Sequence, residues 1–283
     1  MGGRRAFVQF FSGPFLPALR AMRPAGSSTA TAYPNNDGVR LAAGVGCLTF
    51  DGLRARTAGL STDRVRDELD SALASGVVRR GLVLRCATCD DVQFQTIDRV
   101  AQRWTCNRCE SGNDLSRSTW HQPPDEPTWF YDLHPVAQRL LAENGEVPAL
   151  LSARLEAEFG EIKPSLTDID EIELVQAGIK QVELDLVVYG NDILTLAECK
   201  STNHLGKGGN EQLRRDVTKK CRAAAWLRAD RLVYATTATN WQDRAQRAIE
   251  AAVREHDWSD AGNPPELLFI TNLGQEATPD PPA

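Results

Sequence analysis

Two hydrophobic periods alternate along the second half of the chain. Within residues 147–160 the apolar positions Leu151, Leu155 and Phe159 recur at helical spacing, which predicts an amphipathic helix. Residues 169–175 read as a first strand. Residues 182–190 and 193–200 then alternate from face to face, with Asn191-Asp192 between them as a tight turn. A long helix over 210–228, a strand over 232–236, a helix over 241–255 and a strand over 267–271 complete the pattern. The order α-β-β-β-α-β-α-β predicts an α/β domain with a mixed central sheet over 146–275.

The first half is patterned less regularly. Residues 61–76 read as a capped amphipathic helix: Ser61 caps it, Val65, Leu69, Ala72 and Leu73 form its stripe, and Gly76 ends it. A strand follows over 77–85, so 61–120 forms a helix–strand unit plus the cysteine module described below. Residues 1–60 read as an irregular segment. Its basic, apolar start imitates a leader peptide, but Gln9, Gly13, Pro14 and Pro17 interrupt the run and no small-residue cleavage pattern follows. Residues 26–38 read as a linker, 121–145 as a linker and helix, and 276–283 as a disordered Pro-rich tail.

Composition narrows the class. Of 283 residues, 42% are hydrophobic and 25% charged, which is the balance of a soluble globular protein. No stretch approaches the ~20 apolar residues of a membrane helix, so a cytoplasmic protein with no membrane partner is expected. The net charge of −6 does not advertise nucleic-acid binding. Between 200 and 231, however, nine Lys and Arg face three acids. Such a stretch is either a phosphate-binding surface or a solvated helix face.

Seven cysteines are present. Four form Cys86-x2-Cys89 and Cys106-x2-Cys109. Each pair can present two thiolates to one tetrahedral Zn²⁺, and the odd total argues against a disulfide framework. The segment between them, with Trp104 before the second pair, resembles the strands of a zinc ribbon, and that resemblance implies the fold. A structural Zn²⁺ on these four residues is expected, in a module that either contacts nucleic acid or serves as a brace.

The remaining chemistry lies in the paired strands. A two-residue turn at Asn191-Asp192 pairs Asp185 with Glu198 and Glu183 with Lys200. Glu198 and Lys200 share a face. Directly opposed carboxylates repel unless a cation lies between them, and a hard ion such as Mg²⁺ or Mn²⁺ suits an oxygen-rich site. The apo site should then be strained by like charge. A structural ion-pair cluster is the alternative. Asp185, twelve residues, then Glu198-Cys199-Lys200 resembles the PD-(D/E)xK nuclease superfamily, which includes restriction endonucleases. Leu184 stands where the proline of that name would be.

That resemblance implies a restriction-endonuclease-like αβββαβ core, preceded here by the zinc ribbon. It further implies a Mg²⁺- or Mn²⁺-dependent endonuclease acting on nucleic acid, DNA by family frequency, in restriction, phage defence or repair. Asp185 and Glu198 would hold the metal and Lys200 would assist catalysis. A helical glutamate, Glu158 or Glu156, would join them, and Gln212 could face the site. The alternative is a non-catalytic nucleic-acid-binding or partner-docking protein on a decayed nuclease fold. A homodimer or a defence-system partner protein is compatible with either reading.

Overall fold

The computed structural model describes residues 8–24, 31–32, 37–42, 44–57, 59–120, 127–159, 167–205 and 210–274. The linker 26–38 therefore falls largely outside the described residues, and the predicted tail 276–283 wholly so. The chain divides into two units, Met1–Glu143 and Asn144–Ala283, both mixed α/β.

In the first unit the elements are α1 (Leu16–Met22), β1 (Thr31–Ala32), β2 (Gly38–Arg40), β3 (Gly46–Leu48), α2 (Phe50–Arg56), α3 (Thr62–Ala74), β4 (Val78–Arg85), β5 (Val92–Thr96), β6 (Arg103–Thr105), β7 (Gly112–Asp114), β8 (Phe130–Leu133) and α4 (Pro135–Ala142). A six-stranded sheet runs in the order β1-β2-β3-β8-β4-β5, and β6 and β7 pair separately. Ser61 caps α3 by accepting the Arg64 N–H, and Gly76 leaves that helix at φ +74, in the left-handed region.

The described residues of 8–57, expected to be irregular, instead supply sheet and core. Phe10, Phe11, Phe15, Leu19 and Met22 are buried, as are Cys47, Leu48 and Leu53. The elements there are too short to show a period, which is why the pattern reads as loop. Likewise β8 is no linker: it lies centrally, between β3 and β4.

The second unit contains α5 (Glu146–Phe159), β9 (Thr167–Gln176), β10 (Ile179–Gly190), β11 (Ile193–Lys200), α6 (Asn210–Leu227), β12 (Arg231–Thr236), α7 (Asp243–Glu255) and β13 (Glu266–Ile270). Its sheet runs β13-β12-β11-β10-β9, with β11, β12 and β13 parallel and the β9-β10-β11 meander antiparallel. The hairpin register is the one the turn dictates. Asn191 (φ +51) and Asp192 (φ +60) both adopt left-handed backbone, and pairing runs from Gly190–Ile193 to Leu186–Ala197.

Strand alternation assigns the two faces of this sheet. Leu194, Leu196, Leu232 and Tyr234 pack with Leu213, Val217 and Cys221 of α6 and with Trp241 and Ile249 of α7. Val182 and Leu184 join that cluster, while Leu186, Val188 and Ala197 are buried outside it. There α5 packs along β10, β11 and β12, and its Ser152 hydroxyl bonds to Asp168 on β9.

Candidate functional sites

The four cysteines converge. All four Sγ atoms lie within 4.8 Å of one another, with Cys86–Cys109 at 3.6 Å and Cys89–Cys106 at 3.7 Å. Four sulfurs at ~2.3 Å from a tetrahedral Zn²⁺ are separated by about 3.8 Å, so the donor set and spacing fit a metal such as zinc. No pair is bonded as a disulfide; all four thiols are free.

The two knuckles repeat one geometry. Cys86 N–H donates to Asp91 O and Cys106 N–H to Ser111 O. Asp90 N–H returns to Cys86 O and Glu110 N–H to Cys106 O. Asp90 (φ +59) and Glu110 (φ +57) take the left-handed turn after each second cysteine. Thr88 and Arg108 each donate a backbone N–H to the first sulfur of their knuckle, at 3.4 Å. Burial works against the Cys86 thiolate, but bonds from Ser111 and Thr88 hold its pKa down to about 5. The knuckles brace each other. Gln93 accepts the Asn107 N–H and Asn113 accepts the Ala87 N–H, both at 2.9 Å, over a small core of Leu82, Leu84 and Trp104.

The second site lies on the α6 side of the second sheet. Asp185 sits where both neighbouring ladders break. Pairing with β11 stops at Leu186–Ala197, and on β9 the residue opposite, Glu171, takes φ +53 and leaves the register. The Asp185 carboxylate serves the backbone donor this break exposes: Oδ2 accepts the Cys199 N–H at 2.7 Å. The same oxygen accepts Lys200 Nζ at 3.1 Å, and Glu198 Oε1 meets that ammonium at 2.6 Å. Lys200 thus bridges the two carboxylates. Burial raises the Asp185 pKa and neighbouring Glu198 raises it further. Burial opposes the charge on Lys200, yet the two carboxylates hold its pKa above the ordinary lysine value.

A residue not singled out for this site from the sequence completes it. Lys220 of α6 pairs with Glu198 Oε2 and donates to the Glu183 carbonyl. Lys220 and Glu198 are each only 9% exposed. The signal was legible: Lys220 stands seven residues after Leu213 and three after Val217, within the apolar stripe of α6. The like-charge repulsion expected at the site is therefore offset by two lysines, although Glu198 still raises the Asp185 pKa. These residues line a cavity of about 450 Å³, together with Lys180, Lys219, Asp216 and Tyr234. The Tyr234 hydroxyl is buried there without a hydrogen-bond partner among the described residues. Asp185 and Glu198 bring two carboxylates to this cavity, and among the described residues only the four-cysteine cluster gathers three or more metal-ligating side chains.

Other candidates lie elsewhere. Glu183 does not meet Lys200; its carboxylate binds Lys180 at 2.5 Å, and it pairs in register with Glu173. Glu158 binds Arg231 at 2.8 Å. Arg231 opens β12 opposite Thr195, three residues upstream of Glu198, and α5 covers the other face of the sheet. The structure thus does not bring Glu158 to the cluster, and Glu156 shares its helix. Gln212 is exposed and bonds to Asp216 at 3.0 Å. Within the basic stretch Lys220 is buried and Arg214 pairs with Glu255, while Arg215, Lys219, Arg222 and Arg228 are exposed.

Among the described residues no helix is long and apolar enough to cross a membrane. No family model and no curated protein matches the chain. Among solved structures, the chain is similar to protein VC1899 from Vibrio cholerae, at 11% identity and a TM-score of 0.38, over 95% of this chain. It spans 51%, about half, of that chain's length.

Proposed function

We propose that this chain is a Mg²⁺- or Mn²⁺-dependent nuclease whose second unit hydrolyses phosphodiester bonds, with DNA as the favoured substrate. The observation that carries the proposal is the meeting of Asp185, Glu198 and Lys200, from adjacent strands, in the wall of one cavity. The order α5-β9-β10-β11-α6-β12 supports a restriction-endonuclease-like core. Asp185 and Glu198 would hold the divalent ion, which supplies Lewis acidity and lowers the pKa of a bound water. Lys200 keeps its proton and stabilises charge developing on the phosphate oxygens. Lys219 and Arg215 offer the backbone of a nucleic acid exposed positive charge.

In the first unit zinc is the proposed occupant of the four-cysteine cluster, as a structural brace. Around the knuckles Arg85, Arg103 and Arg108 are matched by Asp90, Asp114 and Asp91, which leaves little free positive charge for nucleic acid. A cytoplasmic role in restriction, phage defence or repair follows from the same reading. The test is incubation with supercoiled, linear and single-stranded DNA and with RNA, in Mg²⁺, in Mn²⁺ and without either. Cleavage that vanishes in Asp185→Asn and Lys200→Ala is expected. No cleavage of any of these substrates in either metal overturns the proposal.

A second reading has one observation in its favour. The cluster is charge-balanced without a metal, as a non-catalytic ion-pair network on a decayed nuclease fold would be. Nucleic-acid binding without cleavage is its signature.

A further inference from the structure

Lys220 is the residue of this site that most needs explaining. Burying an ammonium is costly unless it is paired and hydrogen-bonded. Here the stripe of Leu213, Val217, Cys221 and Ala224 turns α6 toward the sheet, and the side chain reaches the site from within that stripe. Its partners are Glu198 Oε2 and the Glu183 carbonyl. Glu198 Oε1 is already engaged by Lys200. Both oxygens of the carboxylate that would ligate a metal are therefore held by lysines, and the oxygen held by Lys220 is the one that Lys200 does not need.

We propose that Lys220 is a positioning residue that occupies the metal's place on Glu198 and moves to substrate phosphate when nucleic acid enters, so that metal and phosphodiester are taken up together. The inference rests on the nuclease reading. Asp185 and Glu198 balance Lys200 and Lys220, so a dication added to the resting cluster leaves an uncompensated excess of positive charge in a largely buried pocket. Removing Lys220 from Glu198 relieves that excess, and an entering phosphate gives the ammonium a new anionic partner. A lysine suits this exchange, as a point charge on a flexible four-carbon stem with three donors. The cavity gives it somewhere to go: Lys220 lines it beside Lys219 and Lys200. Lys180, on the same wall, is already tied to Glu173 and Glu183.

The test measures Mn²⁺ affinity by calorimetry on the full, zinc-replete chain, with and without a short phosphorothioate DNA that resists cleavage. Without DNA, Lys220→Met should bind Mn²⁺ at least about tenfold more tightly than the parent, within the usual range of coupling between sites. Lys220→Gln, which keeps a hydrogen-bond donor but no charge, should do the same, and Lys220→Arg should stay near the parent. DNA should tighten Mn²⁺ binding to the parent by a similar factor and lose this effect in Lys220→Gln. A purely structural counter-ion predicts the opposite, unchanged or weaker Mn²⁺ binding on its removal. Unchanged affinity in both neutral variants, or no effect of DNA on the parent, overturns the proposal. Asp185→Asn and Glu198→Gln separate the two levels of inference. If they bind Mn²⁺ as the parent does, the metal site itself is wrong, whatever Lys220 does.

Discussion

Glu198→Gln and Asp185→Asn remove one negative charge each from the same cluster, yet their effects on stability should differ sharply. Glu198 holds two ammonium groups, and its side chain and that of Lys220 are each 11% exposed. The glutamine variant leaves Lys200 and Lys220 to share one neutral amide oxygen, so Lys220 stays buried with no anionic partner. Breaking a buried pair from one side costs roughly 3–5 kcal/mol. Asp185 is in a different position. Its charge is disfavoured by burial and by Glu198, and Lys200 keeps Glu198 at 2.6 Å when Asp185 is neutralised. The amide oxygen of asparagine can still accept the Cys199 N–H, so a change within about 1 kcal/mol is expected. At roughly 2–4 °C per kcal/mol for a domain of this size, the two melting temperatures should be separated by roughly 5–15 °C. Calorimetry at pH 7 in buffer free of added divalent ions reads this directly. The sign of the pH effect is a second check. An acid whose folded pKa is raised takes up its proton more readily when folded, so the parent gains stability as pH falls from that raised value toward the ordinary one. Asp185→Asn should lose that component. If Asp185→Asn melts as low as Glu198→Gln, Asp185 and not Glu198 anchors the cluster, and the reasoning fails.

Elemental analysis should find about one Zn²⁺ per chain; Cys86→Ser or Cys106→Ser should lower it and destabilise the module by up to ~10 kcal/mol of metal-coupled folding energy. Zinc-free, well-folded protein would refute this. In the first unit, burial pushes the Asp132 carboxyl up to about 6 despite its bonds to Arg79 at 3.0 and 2.5 Å. This group should therefore add up to ~3 kcal/mol of stability as pH falls from about 6 to about 4. Denaturant titrations of Asp132→Asn should show that increment missing, and identical pH slopes would count against it. Reversing charge at Arg215 and Lys219 should weaken DNA binding and lower the salt slope by about one for each phosphate that is no longer neutralised, whereas an unchanged slope places the nucleic acid elsewhere.

Local chemistry made much of this protein legible from its sequence. The knuckles follow from cysteine spacing, because two residues between thiols allow both to face one point. The hairpin register follows from Asn191-Asp192, because a two-residue turn leaves one pairing for each position as far as Leu186–Ala197, where the ladder ends. Period-two alternation then puts Glu198 and Lys200 on one face and Cys199 on the other. Only the tertiary structure decided what those side chains meet. Glu158 and Lys220 both lie on helices flanking the sheet, and either could have met Glu198. The packing of Leu151 and Leu155 sends α5 to the far face, where Arg231 takes Glu158. The packing of Leu213 and Val217 sends α6 to the near face and carries Lys220 with it. The short elements of residues 8–57 were invisible for a related reason: strands of two or three residues carry no period, and their burial is set by partners distant in sequence. Side chains within one element are placed by backbone geometry; side chains from different elements are placed by the core between them, which no single segment encodes.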